Sequence, residues 1–421
     1  MNNREKSKNF DKTDILSHFK SRFYNPENLI YLDGNSLGKL PIGAKKVVNK
    51  IVDEQWGENL IRSWNDHWLE LPKKIGSKIA QLINAEKNEV IVGDSTSVNL
   101  FKLACALINS KIFPKKLITD TLNFPTDNYI LDGICKQYSL SNLKSIKYSN
   151  DIEAEIPLLK QTIKNFPGIL CLSLVTYKSS YLYPIKELND YAIKNNSIII
   201  WDFSHAIGVV DIDIRETNTL AAIGCTYKYL NGGPGSPAFM YINNSLISKL
   251  MSPIQGWFGH KKPFDFSMEY EPSTGIEKFD AGTKNIISLA ALETGIDLTL
   301  EAGIKNISEK SHKMTTYLVN QVKNKLYRLG YTIESPQIQN KRGSHITLSH
   351  PESWRICQCL SDPPKNKIKI IPDFRPDRYI RLGIAPLYVS FQDLDITIKR
   401  LEEIITKKEY EKKDGNRPEV T

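Results

Sequence analysis

Apolar residues in this chain fall into short, uninterrupted runs separated by stretches of helical period. The runs are Val90-Ile91-Val92, Lys116 to Thr119, Ser197 to Trp201, Leu220 to Cys225 and Ala238 to Ile242, with further strands expected near 143–148 and 168–175. Runs of this length, bounded by turn residues, read as strands buried on both faces. Between them Val98, Phe101, Cys105 and Ile108 share one helical face, and further helices are predicted near 152–165 and 185–195. Strand and helix in alternation predict an α/β fold with a largely parallel sheet covered on both sides. Upstream, the first two dozen residues are polar with an amphipathic trace (Ile15, Leu16, Phe19), expected to be a frayed arm or a helix. Ile30 to Asp33 is extended and is broken by Gly34-Asn35-Ser36-Leu37-Gly38, after which Val47, Val48, Ile51 and Val52 give one helical face. Downstream, a long helical pattern runs from Ile286 through Leu300, and a boundary to a smaller α+β domain is expected near 300–310. In that domain 342–348 and 379–386 read as strands, and the charged tail from Lys407 to Thr421 is expected to be disordered.

At 421 residues the chain has room for a large domain and a smaller one. Its net charge of +9 comes from scattered lysines without dense basic blocks, which argues against nucleic-acid binding. The six cysteines are dispersed, and the single C-x-C at Cys357 and Cys359 is a poor metal signal, so no metal is expected. The amino terminus has no apolar h-region, and no apolar run reaches the roughly 20 residues of a membrane span. A soluble, cytoplasmic enzyme is expected.

The chemistry concentrates at Cys225 to Tyr241. Lys228 follows a buried strand and precedes Asn231-Gly232-Gly233-Pro234-Gly235, a turn with almost no side chains. A lysine there is placed to be desolvated and to act as a Schiff-base amine, although a solvated turn lysine has the same local pattern. Upstream, Asp202 ends another buried strand and His205 follows it. A carboxylate at the carboxyl end of a parallel strand lies where open α/β sheets bind ligands. The Lys–Asp pair suits pyridoxal phosphate (PLP), with the lysine forming the imine and the aspartate keeping the ring nitrogen protonated. Taken singly, Asp202 also fits a cap and His205 a core histidine. Thr96 and Ser97 open a helix whose free N–H groups suit a phosphate, and equally an ordinary N-cap. Phe124 precedes Pro125, Thr126 and Asp127 and is placed either to stack on a planar ring or to fill the core. The segment Arg62 to Trp68, with Trp64, reads as an amphipathic turn or a pocket wall. Arg381 lies among apolar residues and needs an anionic partner, either a substrate carboxylate or a structural Asp or Glu.

Together YLDGNSLG (31–38), FPTD (124–127), DFSHAIG (202–208), YKYLNGGPG (227–235), GWFGH (256–260), RGSH (342–345) and RLGIAPLY (381–388) resemble the kynureninase family, bacterial type. Its members are fold-type-I PLP enzymes of the aspartate aminotransferase class. The resemblance implies a large domain with a mainly parallel seven-stranded sheet and a smaller C-terminal α+β domain. It divides the chain into an N-terminal segment, 1–70, a PLP-binding domain, 71–305, and a small domain, 306–421. It implies hydrolysis of the Cβ–Cγ bond of L-kynurenine to anthranilate and L-alanine in tryptophan catabolism, with 3-hydroxykynurenine less preferred. Lys228 is then the Schiff-base lysine and proton carrier, Asp202 the partner of the pyridine nitrogen, and His205 its support. Phe124, Thr126 and Asp127 contact the ring side, Thr96, Ser97 and Tyr227 the phosphate, and Ser173 the cofactor. Tyr227 is also the candidate proton donor. Trp257 and Thr283 match positions that reach the phosphate from a second subunit, which implies a homodimer with shared sites. Arg381 matches the clamp on the substrate carboxylate, and Trp64, Asn35 and Gly282 line the substrate pocket. Two departures stand out. Lys284-Asn285 replaces a proline-containing segment, and Tyr177-Lys178-Ser179-Ser180 replaces a commoner Tyr-x-Thr-Gly. Cysteine desulfuration, transamination and a non-catalytic PLP-binding role are the alternative readings.

Overall fold

The computed structural model describes residues 3–415. Strand β1 (Leu29–Tyr31) precedes the seven strands of the main sheet. These are β2 (Val90–Val92), β3 (Leu117–Asp120), β4 (Lys144–Ile146), β5 (Ile169–Ser173), β6 (Ile198–Asp202), β7 (Ala221–Gly224) and β8 (Phe239–Ile242). They lie in the order β2-β8-β7-β6-β5-β3-β4, with β8 antiparallel to both its neighbours and the pairs from β7 to β4 parallel. Successive residues in a strand point to opposite faces, so the central strands must be apolar on both, whereas edge strand β4 exposes Lys144 and Ser145. In β6, Ile198 and Ile200 pack with the helices Thr96–Ser110 and Pro125–Gln137. Ile199 and Trp201 pack on the other face with Leu71–Leu82, Ile156–Asn165, Ile185–Lys194 and Ile286–Ala302.

The remaining strands are β9 (Thr332–Ile333), β10 (His345–Ser349), β11 (Lys369–Ile371), β12 (Asp373–Arg375) and β13 (Tyr379–Gly383). β12-β13-β10-β9 form an antiparallel sheet, and β11 pairs in parallel with β1. Leu16, Phe19, Phe23 and Leu32 share one core with Met314, Leu318, Ile380 and Leu401. The amino-terminal residues are therefore not a frayed arm. They form a helix, Asn3–Lys12, whose Asp11 carboxylate accepts from the N–H groups of Phe391 (2.8 Å) and Gln392 (3.0 Å). A carboxylate at the start of the helix Phe391–Thr406 satisfies donors that have no partner within the helix. The charged tail is also more ordered than expected. Glu409–Lys412 forms a 3-10 turn in which the Arg400 guanidinium, first among the causes, pulls Glu409 down to about 2. Residues 416–421 of that tail lie outside the described residues.

Candidate active site

The carboxyl ends of the parallel strands gather the chemistry. β7 ends at Gly224, and the chain turns through Thr226, whose hydroxyl donates to the Pro237 carbonyl at 2.6 Å. Asn231 closes the turn in the left-handed region, at φ +56°, with its N–H on the Lys228 carbonyl at 2.9 Å. Gly38 lies against this turn and donates its N–H to the Tyr227 carbonyl at 2.7 Å. A Cβ on Gly38 would stand 2.2 Å from the Lys228 carbonyl oxygen, so only glycine permits this approach. The lysine side chain emerges half-buried, with Nζ 3.2 Å from His205 Nε2. Burial, and then the charges of Lys228, His345 and Arg381, push His205 well down, so its ring is neutral and accepts from the amine. The Tyr227 phenol is pushed up by neighbouring Cys225 and by burial, and stays protonated.

Asp202 ends β6 and lies opposite Ser173 of β5. Both donors of Ser204, its N–H and its hydroxyl, go to Asp202 Oδ1, at 2.8 and 2.5 Å. Burial raises the Asp202 carboxyl, while Ser204 and Lys228 oppose that rise. Asp127 is buried beside it, with Oδ2 making no hydrogen bond. Burial and the Asp202 charge hold Asp127 well above the usual carboxylate range, against the pull of Lys228. Phe124 stands at the helix N-cap and is 37% exposed. It stands edge-on to Tyr177, and Lys228 Nζ lies 5.9 Å from its centroid. Thr126 is half-buried in the same first helical turn. The Ser173 hydroxyl donates to Asn123 at 2.5 Å and so fixes the loop that leads into Phe124.

Thr96 and Ser97 are half-buried in the first turn of Thr96–Ser110, capped by Ser95. The preceding Asp94 accepts from Lys102 at 2.7 Å, and Lys102 also donates to the Phe279 carbonyl at 2.7 Å. That joins the turn to the Phe279–Lys284 loop, where Lys284 pairs with Asp280. Burial and the Lys102 charge push Lys284 down to about 7. At the second departure the backbone keeps the conformation a glycine would favour. Ser180 is buried with φ +66°, a conformation that favours glycine, and its hydroxyl accepts from the His345 N–H at 3.4 Å.

Arg381 is 1% exposed and cross-strand to Asp373 on β12. Its Nε donates to Asp373, one terminal nitrogen to the Tyr177 carbonyl, and the other to Ser36 Oγ at 3.0 Å. The anion that Arg381 needs is thus present as Asp373, and each terminal nitrogen keeps one further N–H. Around this guanidinium are buried polar atoms without hydrogen-bond partners: Asn35 Oδ1 and Nδ2, Asp33 Oδ1 and both His345 ring nitrogens. His345 faces the His205 ring at 5.8 Å, and Asn35 Oδ1 packs on Gly383.

Trp64 and Trp257 belong to an aromatic group around Phe258, apart from Lys228. Trp64 is 6.1 Å from the Phe258 ring, which lies 4.1 Å from Trp257. Thr283 is exposed, and a Cβ on Gly282 would meet nothing within 4 Å. Among the described residues no hydrogen bond or ring contact joins this group to Lys228. Sequence reasoning did not single out Ser204, Asp373, Arg375 or Asp33. The one legible sign was charge set into an apolar run, Ile370-Ile371-Pro372-Asp373-Phe374-Arg375.

Residues 307–401 match the kynureninase C-terminal domain, and residues 31–353 match aminotransferase class-V. The chain is 36% identical over 405 residues to a kynureninase of Pseudomonas fluorescens, covering 95% of each. The structure superposes on a cysteine desulfurase from Thermococcus onnurineus NA1 with a TM-score of 0.79, 16% identity, and coverage of 93% of this chain and 98% of that one. It also superposes on a C-DES mutant with glycine covalently linked to its PLP cofactor, with a TM-score of 0.78, 13% identity, and coverage of 91% and 99%. At those identities the two structures speak for the fold. The full-length likeness and the two family matches carry more: this chain belongs to the kynureninase family, within the class-V aminotransferases.

Proposed function

We propose that the Lys228 pocket binds PLP and hydrolyses the Cβ–Cγ bond of L-kynurenine, releasing anthranilate and L-alanine. The observation that carries this reading is the Lys228 amine beside neutral His205, close to the buried Asp202–Asp127 pair. The residues present fit the cofactor. Asp127 Oδ2 is a buried oxygen with no partner, Phe124 is a partly exposed ring beside Lys228, and Thr96 and Ser97 offer hydroxyls at a helix N-terminus. Asp202 would hold the ring nitrogen through the oxygen that Ser204 leaves unused. When bound, PLP supplies an electron sink for charge that develops at the substrate Cα.

The chain's own residues do the rest. Neutral His205 accepts from Lys228, and the Lys228 amine takes the proton from the substrate Cα. Arg381 turns its remaining N–H groups to the α-carboxylate. Tyr227, held protonated, is the donor to Cβ once water has added to the γ-carbonyl and the aryl acid has left. Residues 71–305 carry the cofactor in this reading, and 1–70 with 306–421 close over it.

We further infer a homodimer in which Trp257 and Thr283 reach the partner's phosphate site. Trp257 (40% exposed) lies with Phe264 (52%) and Phe266 (75%) on a surface more apolar than a monomer needs. Among the described residues no helix is long and apolar enough to cross a membrane. All six cysteines are free and buried, which supports a reducing, cytoplasmic setting. Cys357 and Cys359 are buried in the helix Ser353–Ser361, which does not suit a desulfurase's mobile thiol.

Trp64 and Gly282 favour the unhydroxylated substrate. In this reading the indole face and the glycine make an apolar wall that gains nothing from a ring hydroxyl, and one missing neutral hydrogen bond is worth about 0.5–1.5 kcal/mol. Steady-state kinetics on both substrates test this. A several-fold higher kcat/KM for L-kynurenine is expected, and equal or reversed values would remove Trp64 and Gly282 from the ring pocket.

A further inference from the structure

The Arg381 guanidinium and Asp373 are buried and form one charge cluster with the half-buried Arg375 and Asp33. Asp373 Oδ2 accepts from Arg381 and also from Arg375 Nε at 2.9 Å. Ser36 Oγ accepts from both arginines, at 3.0 Å from Arg381 and 3.4 Å from Arg375. The Ser36 N–H donates to the Asp33 carbonyl at 3.0 Å, which folds Asp33 over the same cluster. Asp33 also bridges Gly383, two residues beyond Arg381. Its Oδ1 is shut off from solvent and makes no hydrogen bond.

Two arginines and two ionised aspartates balance. A substrate carboxylate added to Arg381 leaves one uncompensated negative charge in a buried site, which is strongly unfavourable. Of the two aspartates, Asp373 is held by both arginines, whereas Asp33 has only the Ser36 hydroxyl at its carboxyl and an Oδ1 that makes no hydrogen bond. We propose that the cluster takes up one proton from solvent, on Asp33, when the substrate carboxylate binds to Arg381. The inference rests on the reading of Arg381 as the carboxylate clamp. Protonation turns the orphaned oxygen into a donor, available to the incoming carboxylate.

The surroundings agree. Facing Asp33 are Asp373 and Arg375 of β12, Arg381 of β13, Tyr31 of β1, Tyr229, Tyr388, and Cys357 of the helix Ser353–Ser361. Burial, then Asp373, lifts Asp33 to about 7 against the pull of Ser36, Arg381 and Arg375. Near neutral pH a modest further push is enough to protonate it.

The test uses the holoenzyme with 4-(2-aminophenyl)-4-oxobutanoate, which lacks the amino group and cannot form an imine, and with its carboxamide. Proton uptake is read by calorimetry at about pH 8 in buffers of different ionisation enthalpy. The acid should bind with uptake of about half to one proton per site, and the carboxamide with none. The acid's Kd should rise roughly five-fold from pH 7 to pH 8, whereas in Asp33→Asn both the uptake and this pH dependence should vanish while binding remains. No uptake by the wild type, equal uptake with the carboxamide, or uptake that persists in Asp33→Asn overturns the proposal. Arg381→Lys separates the underlying reading. If it leaves the acid-to-carboxamide affinity ratio unchanged, Arg381 is not the clamp.

Discussion

His205 Nε2 stands 3.2 Å from Lys228 Nζ, on an imidazole that burial holds neutral. The pair is the centre of the site, because a neutral ring accepts a hydrogen bond from the lysine amine without a second charge being buried. His345 lies behind it, is also buried, and is also pushed well down by burial first and then by Arg381 and Lys228.

These two histidines make stability depend on pH. Each has a folded pKa below its ordinary 6.5, so the unfolded chain binds the proton first as pH falls. The stability is present above 6.5 and is lost below it, by at most about 1.4 kcal/mol per histidine at one unit lower. The histidine contribution to the urea midpoint should therefore fall between pH 7 and 5.5, against the opposite contribution of the raised Asp33 and Asp127 carboxyls. A double His205→Asn, His345→Asn variant should show a shallower fall, and an identical one would mean that the buried rings are not the source.

Asp202→Asn tests the carboxylate. An amide keeps the shape and the Ser204 contacts but cannot hold a ring nitrogen protonated, and charge-assisted hydrogen bonds are roughly twice as strong as neutral ones. The variant should retain PLP by absorbance and lose most of kcat. A kcat near wild type would take Asp202 out of its assigned role.

Two glycines in the same stretch of chain should respond in opposite ways. Gly38→Ala drives a methyl into the Lys228 carbonyl and the Asn231 backbone, neither of which can move without shifting the lysine turn. Both Tm and activity should drop. In Gly43→Ala the nearest atoms are on Thr294 at 3.9 Å, within the helix Ile42–Lys50, and removing a helical glycine is worth roughly 0.5–1 kcal/mol. Its Tm should rise with activity unchanged. Thermal unfolding of the two variants side by side checks the pair.

What could be read from sequence follows the range of the interactions. The sheet was legible because each buried strand is a local apolar run, and Pro125 marked a helix start that the structure places at the first helical residue. Lys228 and Asp202 were legible because strand ends announce themselves. Asp33, Asp373 and Arg381 were not legible as a group, since hundreds of residues separate the first from the others and no periodicity links them. The sequence left the amino terminus open between a frayed arm and a helix, and its anchoring could not be read for the same reason. Its anchors, Asp11 on Phe391 and Asp14 on Lys310, are charges that look solvated until the fold brings the partners together.

The central claim is that Lys228 makes this chain a kynureninase, and anthranilate fluorescence tests it most directly. Purified protein with PLP and L-kynurenine should release anthranilate and alanine in equal amounts, and Lys228→Ala should release neither and lose the visible absorbance of lysine-linked cofactor. Absence of anthranilate from the folded, PLP-loaded wild type, or turnover that survives in Lys228→Ala, would contradict the account.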